Sequence, residues 1–203
     1  MTHSGSVVKD ALAVVRRSLK EMGFSAKGAV FFRRGMDGNT SLLSVQKSQT
    51  SSAAESRLAI NYGTYSKRIG VALRDPASYE IALDRSHWRK RFSEGGREKW
   101  LSVKGSDAVE QSAGSILQGV AIVLPELRDH STDEALRDEW LSGVSPGIVE
   151  MKRLLYLAIL INEIGHKERL ESVVADLRAL VSGGVHESLI ERQLTDAGLR
   201  VSR

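Results

Sequence analysis

The sequence predicts an α+β fold: an antiparallel meander sheet of three to five strands, an N-terminal helix on one face of it, and a C-terminal helical bundle. Three observations carry the prediction. Residues 39–65 hold two alternating apolar runs joined by a short Ser- and Ala-rich connection, the pattern of paired strands. Residues 6–22 place Val8, Leu12, Val15, Leu19 and Met22 at 4-3-4-3 spacing, which lines up one apolar helical stripe. From residue 107 onward apolar residues recur at helical spacing between Gly and Pro breaks.

The first helix has Ser4 or Ser6 as its cap and Gly23 as its left-handed terminator. Arg16, Arg17 and Lys20 fall in its last turns, at the negative end of the macrodipole. Residues 24–34 read as entry into a first strand, with Val30, Phe31 and Phe32 as strand formers, and residues 35–39 are turn chemistry. A second strand at 40–49 puts Leu43 and Val45 on one face, and Leu42, Ser44, Gln46 and Ser48 on the other. A third at 57–65 puts Leu58, Ile60 and Tyr62 on one face, with Ala59, Asn61 and Gly63 opposite. Short connections make antiparallel pairing the simplest arrangement. Between 66 and 104 the pattern weakens: a helical turn at 67–73, a break at Asp75-Pro76, a short strand or irregular piece at 79–83, a basic and aromatic segment at 86–92, and an edge strand at 98–103. Helices follow at 107–124, stopping before Pro125, at 132–141, from Pro146 or Gly147 to Ile164, at 167–182 and at 186–197. Short loops make the last three antiparallel neighbours.

Composition narrows the chemistry. A chain of 203 residues with 41% hydrophobic and 27% charged residues can bury a real core and reads as a soluble protein. Cysteine is absent, which excludes disulfides, thiolate chemistry and Cys-ligated metal sites, and fits a reducing cytoplasm. The first residues lack a basic segment followed by an apolar one, so no signal peptide is expected. The longest apolar run, 154–161, is far short of the roughly 20 residues that span a bilayer, so no membrane partner is expected. Residues 1–104 carry 19 Lys and Arg against 9 Asp and Glu, whereas 105–203 carry 10 against 16. We therefore divide the chain into a basic helix-plus-sheet subdomain (1–104) and an acidic helical subdomain (105–203), expected to form one compact unit. The asymmetry either marks a surface for anionic partners or reflects two halves that complement each other.

Three sets of residues are candidates for function. Gln46, Ser48 and Asn61 project from the face of the sheet opposite the core, and Arg33 joins them if its register allows; Lys47 then points inward near a strand end and needs a carboxylate or carbonyl. Amides, a hydroxyl and a guanidinium on one rigid sheet suit a small polar or anionic ligand. Basic residues interleaved with aromatics at Arg85, Trp88, Arg89, Lys90, Arg91 and Phe92 suit phosphate contacts with base stacking, a nucleic-acid alternative. Catalytic patterns are thin. His3, His87, His130, His166 and His186 show no metal-ligand spacing, no phosphate-binding glycine fingerprint or nucleophile elbow occurs, and the pairs Asp133/Glu134 and Asp138/Glu139 read as a solvated helix face. No metal and no cofactor are expected, and an enzyme would need a site assembled from dispersed residues.

The order of short motifs carries a resemblance. Gly23-Phe24 with Lys27, Phe32-Arg33, Val45-Gln46-Lys47-Ser48, Ile60-Asn61-Tyr62-Gly63, Arg91-Phe92 and Trp100-Leu101 follow one another, ahead of a helix ending in Leu124-Pro125. This resembles a family of bacterial proteins known only as a domain of unknown function, over roughly residues 7–140. The chain departs from it in carrying the single Trp100 where members often carry two adjacent aromatics. The resemblance implies no activity, but it draws attention to Arg33, Gln46, Lys47, Ser48, Asn61, Arg91 and Trp100. The expectation is a non-enzymatic binding or interaction module that offers its polar sheet face to an anionic ligand or an acidic protein surface.

Overall fold

The computed structural model describes residues 4–199; His3 lies outside them. Helix α1 (Ser4–Glu21) leads into strands β1 (Ser25–Lys27), β2 (Val30–Arg34), β3 (Thr40–Lys47) and β4 (Glu55–Tyr65). A short helix α2 (Lys67–Ala72) is followed by two 3-10 turns, Ala77–Ile81 and Leu83–Arg85, then by β5 (Trp88–Arg91), a small hairpin of β6 (Ser93–Glu94) and β7 (Arg97–Glu98), and β8 (Leu101–Lys104). Helices α3 (Val109–Asp129), α4 (Asp133–Leu141), α5 (Glu150–Ile164), α6 (Leu170–Val181) and α7 (Glu187–Asp196) complete the chain.

The predicted architecture is the observed one. The sheet is antiparallel, in the order β1-β2-β3-β4-β5, and β8 lies end to end with β5 along the other half of β4. The length of β4 makes this possible: residues 61–64 pair with β5 and residues 55–58 with β8. Register then fixes the faces, because side chains alternate. Val45 opposes Ile60, and Leu43 opposes both Phe31 and Tyr62; with Leu58 and Val103 these residues face α1 and α3, and all are buried. Helix α1 is fastened to the same face through Ser4, whose hydroxyl donates to the Ser52 carbonyl at 3.1 Å and shares a 2.9 Å hydrogen bond with Ser56. Ser4 is thus a tether to β4 and not a free cap. Residues 154–161 of α5 are all buried, as a helix apolar on every side requires, and α5 packs among α2, α4 and α6.

Several local expectations are corrected. The first strand is a hairpin, β1 and β2, folded at Gly28. The segment 79–83 falls in two 3-10 turns parted by the extended Ala82, and β5 occupies the basic segment. Helix α3 does not stop before Pro125 but runs through it to Asp129. Proline removes one hydrogen bond to the carbonyl four residues earlier. Here Pro125 and Ala121 both face solvent, so water replaces the lost donor, while buried Leu127 holds the last turn on the core. The carboxylates of α4 are solvated only in part: Glu134 and Asp138 face solvent. Asp133 is buried and accepts from Asn39 and Arg68, and Glu139 stands 3.4 Å from His130.

Candidate functional site

The face of the sheet turned away from α1 and α3 carries Ser44, Gln46, Asn61, Arg89 and Arg91, brought side by side by the pairings Ser44–Asn61, Asn61–Arg91 and Gly63–Arg89. The polar groups form a directed chain. Arg91 donates from Nε to Asn61 Oδ1 at 2.9 Å and from Nη1 to Glu98 Oε2 at 3.0 Å. A guanidinium only donates, so it fixes the Asn61 amide with its oxygen toward Arg91 and its nitrogen toward Gln46. Asn61 Nδ2 then donates to Gln46 Oε1 at 3.1 Å, which leaves the Gln46 amide nitrogen as a donor at the end of the chain. Beyond Arg91 the Trp100 ring lies between two guanidiniums, Arg57 at 5.3 Å and Arg91 at 5.4 Å.

This face floors a cleft of about 1150 Å³. One wall is the strap formed by residues 77–85, which crosses over the sheet, and Gly147 closes one end. The strap is pinned by Glu80, which is buried and takes ion pairs from Arg34 at 3.0 Å and from Lys67. The Lys67 ammonium holds the Glu80 carboxyl below the usual carboxylate range, against the opposing effect of burial, with Arg34 assisting. Arg89 is held by main chain alone: Nε donates to the Gly147 carbonyl and Nη1 to the Asp84 carbonyl, each at 2.8 Å. No carboxylate among the described residues pairs with it, so its charge is positioned without being neutralised. Two glycines permit this arrangement. A Cβ on Gly63 would meet the Trp88 carbonyl at 2.5 Å, and one on Gly147, whose φ is +73°, would meet the Arg89 carbonyl at 2.3 Å.

Of the predicted residues, Gln46, Asn61 and Arg91 come together on one face, with Trp100 stacked on Arg91 at its rim. Three others do not join them. The Arg33–Ser41 pairing turns Arg33 to the α1 face, where its guanidinium lies 5.0 Å from the Phe24 ring. Lys47 also lies on that side, but its ammonium reaches solvent beside Gly5 and needs no buried partner. Ser48 has left the strand, and its hydroxyl closes the following turn with Thr50.

The basic and aromatic segment divides by the same alternation. Trp88 is fully buried, stacked on His130 at 4.4 Å and edge-on to Tyr62 at 5.8 Å, so it is no platform for a base. Phe92 is buried as well. Lys90 points inward to Glu126, which also accepts from the Tyr62 hydroxyl. Burial opposes ionisation of Glu126, but Lys90 and Tyr62 outweigh it and hold its carboxyl below the ordinary range. Arg85 lies over the Tyr79 ring at 4.7 Å on the strap and 3.5 Å from Asp84. Only Arg89 and Arg91 of this segment stand on the cleft floor.

The family model described as Domain of unknown function (DUF4304) matches residues 15–129. The chain belongs to this family. The DUF4304 segment spans the whole sheet, the strap and α3, and ends with the last residue of α3. No curated protein matches the chain, and no solved structure does.

Arg89, the strap and His87 were not predicted as a group. Arg89 was legible once β5 is read as a strand, since Arg89 and Arg91 sit two apart and share a face. His87 is buried at the end of β4, packed on Tyr65 at 4.6 Å and on Tyr156 at 4.8 Å. Its Nδ1 accepts from the Ser66 amide at 3.0 Å, which places the ring proton on Nε2, 3.7 Å from Asp75 Oδ2. Burial holds the imidazole below its ordinary pKa, so it is neutral there despite Asp75. Both nitrogens are occupied, which fits a structural role. Among the described residues no helix is long and apolar enough to cross a membrane, and no group of three His, Asp or Glu stands together as metal ligands.

Proposed function

We propose that this cytoplasmic protein is a non-enzymatic binding module that takes an anionic partner in the cleft over the outer sheet face. The observation that carries the reading is the pair Arg89 and Arg91, adjacent on the cleft floor, with Arg89 held by two carbonyls and, among the described residues, by no carboxylate. Arg91 and the oriented Asn61–Gln46 amides supply directional donors beside that charge. A small anionic molecule and an acidic protein segment meet the same chemistry, and a cleft of this volume has room for either. A thermal-shift screen of nucleotides, dicarboxylates and acidic peptides tests the reading. A stabilising hit that weakens as salt rises and is lost in Asn61→Ala supports it. If no anionic compound stabilises the chain, and Asn61→Ala changes only its melting temperature, the network is a device for holding the sheet in register.

A further inference from the structure

A second cavity, of about 520 Å³, lies between the strap, the start of β5, helix α5 and Gln193 of α7. It shares Asp84, Arg89 and Gly147 with the sheet-face cleft but has its own chemistry. Two hydroxyls line it without partners. Ser86 is 4% exposed, and its oxygen is buried with no hydrogen bond. Tyr156 is 8% exposed and hydrogen-bonds to nothing among the described residues. Buried polar groups are nearly always satisfied, so the Ser86 oxygen calls for a partner, and the Tyr156 hydroxyl, accessible and unbonded, is free to bond what enters the cavity. Charges of both signs face the same space. Asp75 accepts the Tyr65 hydroxyl at 3.2 Å and stands 3.7 Å from His87 Nε2, while Lys152 has no ion pair among the described residues and Arg89 has none either.

A simple anion meets Asp75 as a repulsive neighbour, and a simple amine meets Lys152 in the same way. A ligand with both groups satisfies the site. We propose that this cavity binds a small molecule bearing a carboxylate next to an amino or hydroxyl group, the carboxylate toward Lys152 and Arg89, the donor toward Asp75 and Tyr156. Its place between the sheet and the C-terminal helices is where ligand sites commonly form. Bound there, the ligand bridges the strap, β5 and α5.

The test is a chemical-shift titration of the whole chain with glycine, L-serine and glycolate, against acetate, ethanolamine and inorganic phosphate as single-function probes. At least one of the first three binds about tenfold more tightly than any of the controls. Lys152→Ala, an exposed substitution that leaves the core untouched, weakens that binding about tenfold, and Tyr156→Phe weakens it about fivefold while preserving ring packing. Arg91→Ala, on the floor of the other cleft, leaves it unchanged, so failure of the sheet-face reading is separable from failure here. Bifunctional probes no tighter than acetate or phosphate overturn the proposal, as does binding indifferent to both Lys152→Ala and Tyr156→Phe.

Discussion

Asn39 is 2% exposed and uses every part of its amide: Nδ2 donates to Ser131 carbonyl at 3.2 Å and to Asp133 Oδ1 at 3.0 Å, and Oδ1 accepts the Lys67 amide at 2.8 Å. It ties the β2–β3 turn to the starts of α2 and α4. Asn39→Ala strands a buried amide donor and a carboxylate oxygen, and lowers unfolding stability by about 2–3 kcal/mol in urea denaturation. The sequence reading placed Asn39 in a turn because Asn favours turns, and nothing local reveals partners 92 and 94 residues away. The partnership of Gln46 with Asn61 was legible for the opposite reason, since strand alternation and a short connection suffice to bring them together. His87 and His130 give a pH signature of opposite signs. Burial lowers the His87 pKa, so its contribution is complete above the unfolded value near 6.5 and is lost as pH falls from there toward the depressed folded value. Glu139, against the opposing effect of burial, raises that of His130, whose contribution is complete below about 6.5 and is lost as pH rises through the folded value. His130→Gln therefore destabilises the protein more at about pH 5.5 than at about pH 8, and His87→Gln flattens the acid limb of the wild-type profile. Equal losses at both pH values contradict the assignment for His130.

The strap at 77–85 is the element on which the cleft depends. Its geometry is legible only in part, because Pro76 signals a break while the 3-10 turns take their places from distant contacts: Glu80 to Arg34 and Lys67, and Arg89 to the Asp84 carbonyl. Glu80→Gln removes the charge that holds it, and hydrogen exchange across 77–85 accelerates by about tenfold while α1 and α3 are unchanged. The same release occurs in acid. The Glu80 carboxyl is held below its ordinary value, so its contribution is present above about 4.5 and is lost as pH falls through the depressed folded value. Strand β5 shows how an element can divide its residues: one pattern of alternation buries Trp88, turns half-exposed Lys90 to Glu126 on the same side, and leaves Arg89 and Arg91 in the cleft. Composition alone merged these four residues into one basic, aromatic segment. Helix α3 makes the converse point, since a local rule ended it at Pro125 and a buried contact at Leu127 carried it on.

For the whole molecule, the unequal charge of the two halves was open to two readings, a surface for anionic partners or two halves that complement each other. Much of it is matched internally: Arg68 pairs with Asp133 and Glu163, Arg74 with Asp196, and Lys90 with Glu126, each joining a basic-half residue to an acidic-half one. Exposed pairs of this kind add little stability individually, so their main effect is on orientation. At the cleft Arg89, a cation of the basic half, bonds among the described residues only to carbonyls. The fold class was legible because periodicities of two and of 3.6 separate cleanly along the chain. The cleft was not, because its wall, floor and end come from residues 77–85, from strands β1 to β5 and from Gly147.

The most direct measurement is the affinity of the strongest anionic hit for the wild-type chain, Arg89→Ala, Arg91→Ala and Lys20→Ala, the last an exposed basic residue on α1 at the opposite side of the sheet. The cleft reading predicts a loss of about tenfold or more in each of the first two variants, steepest at low salt, and no change in Lys20→Ala. Equal losses in all three variants contradict it, because the partner would then be responding to net charge and not to the cleft.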